Sequence, residues 1–163
     1  VDSTGTPSAR IVLLRGFDER GAVFFTNRHS KKGEAIESNR RAALLFHWDL
    51  LDRQVRSEGH ASHTSDTESD EYWESRPRES RLGSWASEQS RPVENRAELA
   101  RRIREADEIF RDKPVPRPPH WGGYRVAIDA IEFWQGDPHR VHDRVRYQCT
   151  PGLGGWVARR LCP

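Results

Sequence analysis

Basic side chains stand where runs that read as strands or helices come to an end: Arg10, Arg15, Lys31, Lys32, Arg76, Arg140 and Arg144. A phosphate monoester carries nearly two negative charges, and arginine can meet it with paired hydrogen bonds. Each such bond contributes roughly 1.5–3 kcal/mol net, so two or three of these side chains fix one phosphate and the set could hold two. Any one of them alone is more simply a solvated surface charge. His60 and His63 offer no comparable site. Three apart on a strand, they point to opposite faces, which suits surface histidines and not a metal pair.

The 163-residue chain carries 27 basic and 25 acidic residues, for a formal net charge of +2. That balance is too even for a nucleic-acid or membrane-surface protein working by bulk electrostatics, so an anion site must come from local clustering. No G-x-G-x-x-G follows an expected strand and no Walker loop is present, so side chains must hold any phosphate-bearing cofactor. The hydrophobic fraction of 34% is low, and the charged fraction of 32% high, for a compact domain. Partial disorder would give such numbers, and so would a small core completed by a partner subunit; the regular apolar runs favour the partner. Cys149 and Cys162 lack the spacing of a zinc site or a redox dithiol and fit a cytoplasmic chain with two ordinary thiols. No apolar run approaches the ~18–20 residues that span a bilayer. The chain begins at Val1 and not at Met, so this end gives no reading of targeting.

The elements that would position these groups are legible from pattern. Gly5 and Pro7 punctuate a turn, and the apolar run from Arg10 to Arg15 suits a buried strand. A turn over 17–21 and a strand over 22–26 complete a hairpin. A short helix follows over 30–38, then strands over 42–48 and 53–60. Ser65 and Glu68 have the spacing of a capping box, opening a helix that carries Tyr72 and Trp73 and ends near Arg76-Pro77. Asn95 and Glu98 repeat that pattern before a longer helix with Leu99, Ile103, Ala106 and Phe110 on one face. Pro114, Pro116, Pro118 and Pro119 form an extended connector. Strands resume over 124–128, 131–134, 145–149 and 156–161, with a turn at Gly152, Leu153, Gly154 and Gly155. Hairpin-length links predict a mainly β, α+β chain: an antiparallel sheet or barrel with flanking helices.

Short motifs fall in order along this frame. The first are Arg-Ile-Val-Leu-Leu-Arg at 10–15, Phe-Phe-Thr-Asn at 24–27, Ser-Lys-Lys-Gly at 30–33 and Arg-Gln-Val-Arg at 53–56. Ser-Arg-Pro-Arg-Glu-Ser at 75–80, Leu-Gly-Ser-Trp-Ala-Ser-Glu-Gln-Ser at 82–90 and Trp-Gly-Gly-Tyr-Arg at 121–125 continue them. Glu-Phe-Trp-Gln-Gly at 132–136, Arg-Val-His-Asp-Arg at 140–144 and Arg-Leu-Cys-Pro at 160–163 close the series. One motif would be weak. The series spans essentially the whole chain with compatible spacings, and it resembles the pyridoxamine 5′-phosphate oxidase family.

The resemblance implies an antiparallel FMN-binding split β-barrel acting as a homodimer, with FMN in clefts at the subunit interface. It implies one domain over 1–163 that starts at the family's second strand and lacks the usual N-terminal helix, first strand and substrate-covering residues. Arg10, Ile11, Val12, Leu13, Leu14 and Arg15 would then run beside the flavin, while Phe25, Thr26, Lys31 and Lys32 hold its ring and phosphate. Gln54, Gln89, Ser90, Trp134 and Arg144 would complete the cofactor site, some of them from the other subunit. The substrate phosphate would meet Arg15, Tyr72, Arg76 and Ser80. Arg140 and His142, the expected catalytic pair, would lie over a pyridine ring: Arg140 orienting substrate and stabilising charge, His142 fixing a ring oxygen or shuttling a proton. The implied reaction takes hydride from the 4′ carbon of pyridoxamine or pyridoxine 5′-phosphate, yields pyridoxal 5′-phosphate and passes the electrons to oxygen as hydrogen peroxide.

Three positions depart from the family's usual residues. Arg15 stands where lysine is common, Lys31 where arginine is common, and Val141 where leucine is usual. The first two keep charge but change fork geometry and reach, which predicts altered affinity and retained function. Two other classes share many of these features: a flavin oxidase of the phenazine-biosynthesis type and a non-catalytic binder of flavin or B6 phosphate. Arg76, Ser80, Arg140 and His142 together favour the B6 oxidase.

Overall fold

The longest strand organises the sheet. The structure, a computed structural model, describes residues 1–150 and 154–163. Its strands are β1 (Gly16–Asp18), β2 (Gly21–Asn27), β3 (Arg41–Trp48), β4 (Arg53–His63), β5 (Trp121–Gln135), β6 (Asp143–Thr150) and β7 (Gly155–Arg160). All pairings are antiparallel, in the order β1-β2-β5-β4-β3, with β6 added to β5 and β7 to β6. One edge of β5 is therefore shared: β2 pairs with residues from Trp121 to Val126, and β6 with those from Ala130 to Gln135. The α+β, antiparallel expectation agrees with this curled sheet.

Asp129 sits at the handover. The β4–β5 register shifts between Glu58 and Gly59, where Gly59 faces Ile128 and Glu58 faces Ala130, so Asp129 is an extra residue in β5. A one-residue insertion exchanges the faces of everything beyond it. Trp121 and Gly123 before the bulge thus share a face with Glu132 and Trp134 after it. Sequence pattern predicts separate strands over 124–128 and 131–134; the structure joins them into one, because the bulge lets pairing to β4 continue. Asp129 Oδ2 accepts from Arg41 Nη1 at 2.6 Å, and its carbonyl accepts from Gln148 Nε2 at 2.8 Å.

Alternation on this frame makes two cores. Phe24, Ala61, Tyr124 and Val126 face one side and pack with Ile36 of helix α1 (Lys31–Asn39), whose N-cap Ser30 accepts from the Gly33 N–H. Phe25 and Trp121 face the other side. There they meet α2 (Asp66–Glu74), α3 (Arg78–Ala86) and α4 (Arg96–Ile109) through Trp73, Leu82, Ala106 and Val115. The Ser65–Glu68 capping box forms, each residue's side chain accepting the other's N–H at 3.1 Å. Asn95 Oδ1 likewise caps α4 through the Glu98 N–H at 2.9 Å. Helix α3 has no such sign: its N-cap is Pro77, without a capping side chain, and sequence pattern does not mark it as a separate helix.

One strand expectation fails. Residues from Arg10 to Leu14 lie outside the sheet, and the ladder to β2 ends where the Arg15 N–H donates to the Val23 carbonyl. An apolar run needs cover, and within one chain only Val12 finds it, against the first core; Ile11 is 95% and Leu13 64% exposed. Of the turn expected at 152–155, Gly152 and Leu153 lie outside the described residues.

Gly59, beside the bulge, has no room for a side chain, since a Cβ there would overlap the Ala127 carbonyl oxygen. Gly59→Ala is expected to cost about 1–3 kcal/mol as overpacking. The readout is a lower urea midpoint at unchanged slope; an unchanged midpoint would mean that the bulge backbone yields freely.

Candidate functional site

A cleft of about 530 Å³ opens where the end of β2 meets α2, α3 and the chain leading into β1. Leu13, Arg15, Phe25, Thr26, Tyr72, Arg76, Ser80 and Gln89 line it, all of them expected site residues. Its floor is aromatic: Phe25 stacks on Tyr72 with ring centroids 4.2 Å apart and on Trp121 at 5.6 Å. Arg15 lies over the Tyr72 ring at 5.3 Å, and Arg76 over the rings of Trp73 and Trp121 at 5.0 and 4.7 Å. Arg76 is held further by Ser84 Oγ and the Ser80 carbonyl, each accepting at 3.0 Å. Burial pulls its pKa below the ordinary arginine value, with the neighbouring charge of Arg15 acting in the same direction.

A third cation closes the β2 end. Lys32 Nζ donates to Gln89 Oε1 at 2.8 Å, Thr26 Oγ1 at 2.9 Å and Ser30 Oγ at 3.1 Å. Half-burial, and then the charge of Arg10, lower its pKa to about 8. No aspartate or glutamate lines the cleft. Elsewhere arginines pair with acids, as in Arg125 with Asp18 and Glu68, or Arg117 with Asp66 and Asp70. Among the described residues Arg15, Arg76 and Lys32 have no such partner. Three cations around one hollow without a counter-charge make an anion site, and polar walls over an aromatic floor suit a phosphorylated ring.

The remaining expected residues gather elsewhere. Gln54, Trp134 and Arg144 lie side by side on β4, β5 and β6, in register across the sheet. His142 packs on Trp134 with centroids 4.7 Å apart, and its Nδ1 accepts from the Asp137 N–H at 3.1 Å. Arg140 is exposed, with a left-handed φ of 68°. None of these five lines the cleft. The two groups share a sheet face through the bulge, yet one chain does not bring them together. Arg10, Ile11, Leu14, Lys31 and Ser90 are exposed outside the cleft, and Val12 is turned into the first core.

Sequence reasoning missed Asn27, Ser75, Ser84, Ser87 and Trp121 as cleft residues. Ser80 and Ser84 at helical spacing carried a signal, usable only once α3 is known to be a helix. It also missed Glu132, buried between Arg56 and Arg144.

The phosphate and ring of FMN fit this donor set. Lys32, Thr26 and Gln89 supply a half-buried cation among hydroxyl and amide groups, and Phe25 supplies a ring edge beside them. The sheet-face group offers Arg144, Gln54 and the Trp134 indole, which suit an extended polar cofactor. Among the described residues there is no group of three or more His, Cys, Asp or Glu side chains placed to hold a metal, and no helix long and apolar enough to cross a membrane.

Residues 1–110 match the family model described as pyridoxamine 5′-phosphate oxidase, and residues 121–163 match the pyridoxine 5′-phosphate oxidase C-terminal dimerisation region. The chain is 56% identical over 162 residues to the pyridoxine/pyridoxamine 5′-phosphate oxidase of Paraburkholderia phymatum, covering 99% of this chain and 76% of that protein. It is 57% identical over 159 residues to that of Rubrobacter xylanophilus, covering 98% and 72%. Among solved structures, PhzG from Burkholderia lata 383, crystallised with tetrahydrophenazine-1-carboxylic acid, superposes with a TM-score of 0.90. That pair shares 30% identity and covers 100% of this chain and 79% of PhzG. A pyridoxamine 5′-phosphate oxidase-related, FMN-binding protein from Nostoc punctiforme, at 18% identity and TM-score 0.73 over 100% and 84% of the two chains, shares the fold.

The Lys32 environment sets a pH dependence. Burial disfavours the charged amine, so in the free protein Lys32 is cationic below about 8 and neutral above it. Sulfate, whose charge is constant in this range, is expected to bind more weakly as pH rises from 7 to 9, measured by calorimetry. Lys32→Met should flatten that profile. Equal sulfate affinity at both ends in the unaltered protein would remove Lys32 from the anion site.

Proposed function

This chain belongs to the pyridoxine/pyridoxamine 5′-phosphate oxidase family, and on that premise we propose that its cleft and its sheet-face group are two halves of one catalytic site, joined when two copies pair. The chain is an oxidoreductase of the B6 phosphates, converting pyridoxine or pyridoxamine 5′-phosphate to pyridoxal 5′-phosphate with oxygen as acceptor. The family is FMN-dependent and carries a C-terminal dimerisation region. The observation that carries the two-half reading is the segregation of Arg15, Tyr72, Arg76 and Ser80 from Gln54, Trp134, Arg140, His142 and Arg144. An apolar hollow of about 540 Å³ formed by Ile131, Phe133, Val145, Tyr147 and Trp156 supports pairing, since Phe133 and Trp156 lie 46% and 48% exposed in the single chain. We read residues 1–163 as one domain because a single sheet runs through both matched regions.

In this reading Arg15, Tyr72, Arg76 and Ser80 grip the substrate phosphate. The cation–π contacts and the Ser84 hydroxyl hold Arg76 in place before substrate arrives, which lowers the ordering cost of binding. Phe25, Thr26, Lys32 and Gln89 hold the cofactor from the cleft side, with residues 10–14 and Lys31 alongside and Ser90 next to Gln89. Gln54, Trp134 and Arg144 of the other copy complete its site. When bound, FMN would supply the acceptor for hydride from the substrate's 4′ carbon and the route of those electrons to oxygen. Arg140 stabilises charge on the substrate. His142 has Nδ1 committed to the Asp137 N–H, so its neutral form carries the proton on Nε2, free to donate to a ring oxygen. The Trp134 indole fixes that ring's plane. Positioning two rings against each other is the main contribution of these side chains.

PhzG, at 30% identity, represents a second reading in which the scaffold serves another substrate. Identities of 56% and 57% to the B6 oxidases favour the first.

Protein reconstituted with FMN is expected to be yellow and to release peroxide with pyridoxamine 5′-phosphate. Arg140→Ala should lower kcat by about 10²-fold with FMN affinity nearly unchanged, the size seen when one stabilising donor is removed. A colourless protein that cannot be reconstituted contradicts the proposal. A yellow one inert toward both B6 phosphates points to the second reading.

A further inference from the structure

We infer that Glu132 is a positioning residue for the cofactor, holding the Arg144 guanidinium in its binding orientation through a buried carboxylate. The inference rests on the reading above, in which Arg144 meets FMN.

Glu132 is 2% exposed on β5, the most buried acid of the chain among those described. Its Oε1 accepts from Arg144 Nε at 2.9 Å and lies 2.8 Å from Nη2, while its Oε2 accepts from Arg56 Nη2 at 2.7 Å. The Cys162 carbonyl takes a further Arg144 proton, from Nη1 at 2.9 Å. One edge of the guanidinium is therefore occupied by the protein, and the remaining N–H groups are left for a ligand.

The register does not force this pairing. The residues opposite Glu132 are Arg56 on β4 and Arg146 on β6, whereas Arg144 lies opposite Trp134. Arg146 is engaged by both oxygens of Glu58, at 3.1 and 3.0 Å. That leaves Glu132 to reach diagonally to Arg144, within the span of long side chains on one sheet face. The arrangement leaves two guanidinium groups around one carboxylate. Its net charge is positive and its carboxylate is out of water, while the Arg56 and Arg144 side chains stay 40% and 25% exposed, so that Arg144 keeps uncommitted donors within reach of a ligand. A carboxylate used only for packing would not need to be charged or paired in this way, since a buried ion pair seldom adds stability over an apolar one.

The test is a double-mutant cycle on FMN affinity, read by quenching of flavin fluorescence, with the thermal melt of each apoprotein alongside. Glu132→Gln keeps the shape and removes the charge, and is expected to weaken FMN about 10-fold or more. In an Arg144→Ala background the same change should alter affinity less than about 2-fold, because its effect travels through Arg144. If Glu132→Gln gives no cooperative melt, Glu132→Asp replaces it; this keeps the charge, withdraws it by one methylene and should give an intermediate loss that also vanishes in the Arg144→Ala background. Equal losses in both backgrounds, or no loss in either, would overturn the inference while leaving Arg144 at the cofactor. An Arg144→Ala variant that binds FMN normally would overturn the assignment of Arg144 itself, and the positioning role with it.

Discussion

Strand β5 has to serve two neighbours on one edge while presenting one continuous functional face, and simple alternation cannot satisfy both. Trp121 belongs to the cleft floor and Trp134 to the sheet-face group, and they stand an odd number of residues apart. In an unbroken strand they would point to opposite sides. The extra residue at Asp129 corrects the parity at the point where the edge passes from β2 to β6. Cleft, charged ladder and the apolar hollow on the reverse face all follow from that single insertion.

The same insertion decides where charge goes. On the functional face beyond the bulge, Arg56, Glu58, Glu132, Arg144 and Arg146 interleave across three strands, and the acids are consumed by arginines. No acid lines the cleft itself, and Arg15, Arg76 and Lys32 rest on rings, hydroxyls and an amide. The contrast separates a framework that neutralises its own charges from a site that leaves cations for a ligand. It also accounts for the low hydrophobic fraction, because much of this face is built from ion pairs and the reverse face carries apolar side chains for a partner.

Local chemistry was legible where it was encoded locally. Ser65 and Asn95 announce two helices by side chains that do cap them, and the helix expected from Ser30 begins there, with Ser30 as its N-cap. Tyr72, Arg76 and Ser80 meet in one cleft as their motif implies. What could not be read depended on neighbours distant in sequence. An apolar run from Ile11 to Leu14 looks the same whether a strand or a second chain covers it. Pro77 opens α3 without a capping side chain, which hid Ser84. Nothing in Ile128-Asp129-Ala130 distinguishes a bulge from a break, and Glu132 reads as an ordinary alternating residue until its two arginines are placed beside it.

The central claim is that neither half of the site works without a second copy, and mixed dimers test it most directly. Subunits carrying Arg76→Ala are damaged in the cleft, and those carrying Arg140→Ala in the sheet-face group; each alone should be nearly inactive. In a dimer of one of each, one of the two sites draws its cleft and its sheet-face group from undamaged halves. Unfolding and refolding the two together should therefore recover about a quarter of the unaltered activity, given random pairing in a symmetric dimer. A mixture no more active than the average of its parents would show that each chain completes its own site, and would contradict the account.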